Sequence, residues 1–96
     1  MREPRFTRKD IAKILGVATL TIANREKRGQ YPPPTRDLND YRVYDLNDVF
    51  NLQLITYGAI DNRPIISILY DKGYTDIKKV EKLIESVLAK RTGAAG

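Results

Sequence analysis

The sequence predicts a mainly helical chain that opens on a helix-turn-helix and carries one small β-hairpin. Three observations predict it. Apolar residues recur at helical spacing in four stretches: Ile11, Ile14 and Leu15; Leu46, Val49, Phe50 and Leu54; Ile65, Ile66, Ile68 and Leu69; and Ile77, Val80, Ile84 and Val87. The run from Phe6 to Arg28 contains two short helical segments broken at Gly16, the pattern of two helices joined by a tight Gly-containing turn. The run from Gln30 to Tyr44 begins with three prolines and continues with short extended arms around an Asp/Asn-rich turn.

Taken in order, Thr7 and Asp10 are spaced to cap the first helix reciprocally, with Phe6 and Ile11 placed as a hydrophobic staple. Gly16 ends that helix because glycine takes left-handed backbone at little cost, and Val17 turns toward the core. A second helix runs from near Thr19 to Arg28 and ends at Gly29. Pro32 to Pro34 form a rigid lead-in. The hairpin arms are Thr35-Arg36 and Tyr41-Arg42-Val43-Tyr44, with the turn at Asp37-Leu38-Asn39-Asp40. Val43 and Tyr44 face the core, while Arg36, Tyr41 and Arg42 are available outward. Asp45 caps a third helix with Asp48 at its third position, and Tyr57-Gly58 ends it. A fourth helix starts at Pro64 and stops at Gly73. Thr75 caps a fifth, reaching about Arg91, and the tail from Thr92 to Gly96 is expected to be disordered. On the fifth helix Ile77, Val80, Ile84 and Val87 make nearly two heptads of apolar seam. That seam either packs on the preceding helix or joins two copies as a weak dimer.

Composition narrows the function. The chain has 96 residues, enough for one domain with a modest core. It has no cysteine and no histidine, which excludes disulfides, thiolate metal sites and the commonest general base. No apolar run approaches the ~20 residues of a membrane span, so a cytoplasmic location is expected. Without paired carboxylates beside a Gly-rich loop, no active site assembles, and neither a cofactor nor a metal is expected. The net charge of +5 is concentrated at the N-terminus. Eight basic residues (Arg2, Arg5, Arg8, Lys9, Lys13, Arg25, Lys27, Arg28) face three acidic ones (Glu3, Asp10, Glu26) in residues 1–28, and the remainder balances. A basic excess confined to a helix-turn-helix suits a polyanionic partner, though a basic face also serves solubility.

The run from Phe6 to Asp48 resembles the winged-helix DNA-binding domain of the MerR superfamily, which includes phage excisionases and small terminase subunits. The resemblance is carried by Phe6-Thr7, Asp10-Ile11-Ala12, Leu15-Gly16-Val17, Thr21-Ile22, Glu26 ahead of Gly29, Pro32-Pro33, Arg36, Tyr41-Arg42-Val43-Tyr44 and Asp48, all in register without a gap. Four positions depart from it. Ala23 stands where such regulators have Arg, Arg25 where they have an aromatic, Ala18 where a small polar cap is usual, and Asp40 where the wing turns on Gly.

The resemblance implies a winged helix-turn-helix in residues 1–57, a C-terminal helical extension in residues 58–91 and a tail in residues 92–96. It implies that the second helix enters the major groove of double-stranded DNA. On that helix Asn24 and Arg25 are the candidates for reading adenine and guanine. Thr19 and Thr21 suit phosphate or base contact, Thr19 being alternatively a plain helix cap, and Lys27 and Arg28 suit phosphates. On the wing Arg36, Arg42 and Tyr41 are the candidates. The implied function is sequence-specific DNA binding by a small nucleoid-associated regulator lacking an effector domain. The alternative is an excisionase-like, packaging or architectural protein of a mobile element. The implied partner is duplex DNA; the Ile77–Val80–Ile84–Val87 seam, independently of the resemblance, carries the expectation of a weak homodimer.

Overall fold

The computed structural model describes residues 3–36 and 42–93, and it is built from five helices. They are α1 Arg8–Leu15, α2 Thr19–Lys27, α3 Leu46–Tyr57, α4 Asn62–Asp71 and α5 Ile77–Gly93. Helix α1 is central. It packs on α2, α3 and α4, while α5 closes the far side against α3 and α4. One buried cluster runs from Phe6 through Ile22, Phe50 and Leu69 to Ile84 and Val87. The division expected at residues 57/58 is therefore not a break in the core, and α4 and α5 complete the same hydrophobic interior as the helix-turn-helix. Among the described residues no helix is long and apolar enough to cross a membrane.

The local signals act as elementary chemistry requires. At α1 the Thr7 hydroxyl accepts from the Asp10 N–H at 3.1 Å, and the Asp10 carboxylate accepts from the Thr7 N–H at 2.9 Å. Gly16 ends α1 at φ +71°. A Cβ there would meet nothing nearer than the Tyr57 hydroxyl at 3.9 Å, an ordinary contact. The glycine is thus needed for backbone handedness, not for space. Asp45 and Asp48 form the same reciprocal box at α3.

The predicted β-hairpin wing is corrected: the architecture is carried by the five helices. Among the described residues, extended pairing here joins Thr35–Arg36 to Arg42–Val43, with Thr35 opposite Val43 and Arg36 opposite Arg42. Four residues make no sheet layer. The register places Pro34 opposite Tyr44, at a position where neither backbone points across to the other. Tyr44 instead exchanges backbone bonds with Phe6, its N–H donating to the Phe6 carbonyl at 2.9 Å and its carbonyl accepting from the Phe6 N–H at 2.8 Å. The turn assigned to Asp37–Asp40 lies outside the described residues.

Four smaller expectations are also corrected. On α3 it is Gln53 that faces inward with Leu46, Val49, Phe50 and Leu52, whereas Leu54 is exposed. Gln53 continues the 46–49–50–53 helical line. Its amide donates to the Asp61 carbonyl at 2.8 Å and accepts from the Asp61 N–H at 3.3 Å, satisfying the α3–α4 loop from inside. Helix α4 begins at Asn62 with Asp61 as its cap, so Pro64 sits third. The first turn has no use for that N–H, so proline is tolerated there. Asp76, not Thr75, accepts from an N–H of the first turn of α5, that of Lys79 at 3.3 Å. Finally, α5 continues through Gly93, and residues 94–96 lie outside the described residues.

Candidate nucleic-acid interface

The orientation of α2 follows from one fully buried residue. Ile22 is inserted in the core, so positions two away, about 200° around the helix, point outward. Those positions are Leu20 and Asn24. Thr19, Leu20, Asn24, Lys27 and Arg28 are exposed, and Thr21 is half-buried. The cap of α2 is Ala18, which offers no side-chain hydrogen bond. Thr19 is the first helical residue and not the cap. Its backbone N–H has no carbonyl one turn earlier to bond, as at every helix start.

Two internal networks hold α2 at its angle. Glu26 lies on the inner side, accepting from an Arg8 guanidinium nitrogen at 2.6 Å and from the Tyr44 hydroxyl at 3.1 Å on both carboxylate oxygens. This joins α2 to α1 and to the segment before α3. Burial works against the Arg8 charge, but its bonds to Tyr44 and Glu26 outweigh that and hold its pKa above the ordinary value. Burial pushes the Tyr44 hydroxyl up, and the Glu26 charge adds to this against the Arg8 bond. The second network begins at Arg25, whose guanidinium donates to the Tyr31 hydroxyl at 2.8 Å and sits 5.5 Å from its ring centre. The Tyr31 hydroxyl in turn shares a 2.5 Å hydrogen bond with Thr56 of α3. Arg25, assigned from sequence to read guanine, is therefore turned inward and ties the end of α2 to α3. The helix-turn-helix turn is fastened as well, since the Tyr57 hydroxyl donates to the Leu15 carbonyl.

None of the predicted wing residues has a described side chain. Tyr41 lies outside the described residues, and the side chains of Arg36 and Arg42 do too, only their backbones being described. The dimerisation seam is corrected. Val80, Ile84 and Val87 are core residues, buried where α5 meets α3 and α4, and only Ile77 is exposed, at 39 %. The seam serves the monomer because its apolar line faces α3 and α4. Sequence reasoning missed Leu20, which is 68 % exposed at the start of the outward face. Its spacing of two from Ile22 was the available signal. It also missed Tyr31, for which an isolated aromatic between Gln30 and the prolines gave no signal. Among the described residues, no group of three or more acidic side chains is arranged to hold a metal ion.

No family model, no curated protein and no solved structure matches this chain.

Proposed function

We propose that this chain is a sequence-specific double-stranded DNA-binding protein, a small regulator whose helix α2 enters the major groove. The observation that carries this reading is the α1–turn–α2 unit. The buried Ile22 and the half-buried Glu26 and Arg25 brace α2 from behind, while Asn24, Lys27 and Arg28 stand exposed on it. Asn24 offers the amide pair that matches adenine N6 and N7, and Lys27 and Arg28 offer charge to the flanking phosphates. Arg5, Lys9 and Lys13 extend the exposed positive field along the N-terminal segment and α1. The motif resemblance of residues 6–48 to MerR-type helix-turn-helix domains supports the same reading.

Fluorescence anisotropy on duplexes selected from a random library tests it. Affinity is expected to fall with salt at a log–log slope of about four, one increment per neutralised phosphate. Asn24→Ala is expected to cost about 1–3 kcal/mol on the selected duplex and little on unrelated DNA. A salt-independent titration, or selection that enriches no sequence, would overturn the reading. A genome-wide binding profile dominated by a promoter site is the result expected of a regulator. Clustering beside an integration or packaging end would overturn that role while keeping DNA binding.

A further inference from the structure

Leu20 is the most exposed of the large apolar side chains among the described residues, at 68 %. It occupies the first turn of α2 and points directly away from Ile22. Asn24 lies one turn further along the same line, and Lys27 continues it. A leucine can neither donate to a phosphate nor accept from a base. What a branched apolar group recognises on a base-pair edge in the major groove is the 5-methyl of thymine. Asn24, about 6 Å along the helix axis at 1.5 Å per residue, is the adenine reader of the same line. That separation spans fewer than two base-pair steps of about 3.4 Å. Arg25, the residue suited to guanine in the body of α2, is engaged with Tyr31 and turned away.

We infer that the outward face of α2 selects A·T pairs, with Leu20 covering a thymine methyl and Asn24 holding an adenine one or two steps away. This rests on the duplex-DNA reading above and deepens it by naming the base pairs read.

The test replaces thymine by deoxyuridine, which removes only the 5-methyl group. Duplexes are first enriched from a random library with the wild-type protein, and each thymine of the enriched site is then replaced singly. One thymine is expected to respond, its deoxyuridine duplex binding the wild type about fourfold more weakly, the loss of one buried methyl. Leu20→Ala is expected to bind the thymine duplex more weakly by a similar or larger factor and to lose the distinction between thymine and deoxyuridine. Leu20 is exposed, so this variant keeps the wild-type fold, which circular dichroism checks. An enriched site made of G·C pairs, indifference to deoxyuridine at every position, or a Leu20→Ala protein that still discriminates the two duplexes would each overturn the inference while leaving DNA binding intact. Absence of any enriched duplex would overturn both readings together.

Discussion

Arg25 and Glu26 are adjacent, and both lend their charge to the interior rather than to a partner. Glu26 offsets the cost of bringing the Arg8 guanidinium against α2, and Tyr44 completes the set of donors. Such a group behaves as a unit, because removing one member strands the others. Arg25 is the sharper case. From sequence it belongs with Asn24, one position away on an amphipathic helix. In the structure the ring of Tyr31 lies beneath it and its guanidinium donates to the Tyr31 hydroxyl. Arg25→Ala is therefore expected to lower folding stability by about 1–2 kcal/mol, combining a charged hydrogen bond with a cation–π contact. The ratio of specific to non-specific DNA affinity is expected to stay within about twofold, below the discrimination a guanine-reading arginine supplies. Urea unfolding and paired anisotropy titrations check both halves. A stable variant with relaxed specificity would place Arg25 on the DNA instead.

At the scale of elements, α1 and α3 begin with the same reciprocal cap but in opposite electrostatic settings. Burial pushes the Asp10 carboxyl up, but Lys72 at 2.8 Å and the Thr7 donors outweigh it and hold the carboxyl below the usual 3.8. Its stabilisation is present in full above that value and is lost as pH falls through the depressed native pKa. Asp48 goes the other way. Burial first, then the charges of Asp45 and Glu3, raise it above 3.8. Its contribution is greatest below the usual value and is lost as pH rises through the raised one, so at neutral pH the ionised form opposes folding. Asp10→Asn is expected to cost about 1 kcal/mol at pH 7 and little near pH 3. Asp48→Asn, whose amide oxygen can still accept from the Asp45 N–H, is expected to raise stability at pH 7, an advantage that disappears in acid. Thermal unfolding of the two variants at both pH values decides this. A shift of the same sign for both at pH 7 would contradict the opposed settings.

For the molecule as a whole, the question is what α5 closes. Its apolar line joins the cluster that also contains Phe50 and Leu69, so the helix completes the monomer. Ile84 is about 1 % exposed. An aspartate there would place an unpaired carboxylate in the core, at a cost above about 4 kcal/mol. That is comparable to the whole stability of a domain this small. Ile84→Asp is therefore expected to lose its cooperative thermal transition, and the wild type to sediment as a monomer at micromolar concentration. A folded Ile84→Asp protein that merely fails to self-associate would return the seam to the surface.

The sequence by itself determined the parts that depend on neighbours along the chain. The Thr7–Asp10 and Asp45–Asp48 caps, the left-handed Gly16 and the two-helix opening follow from interactions three or four residues apart, which any reader of the chain can align. It also determined that no cysteine or histidine chemistry is available. Tertiary structure decided what depends on residues far apart in the chain. Tyr31 captured Arg25, and the three-four spacing of α5, equally suited to a partner helix or to its own core, was resolved by α3 and α4 lying beneath it. Tyr44 gave its backbone bonds to Phe6, a partner far away in the chain that the hairpin arms did not reveal. Helical periodicity specifies that a face is apolar and leaves open which surface covers it, and that choice belongs to the fold.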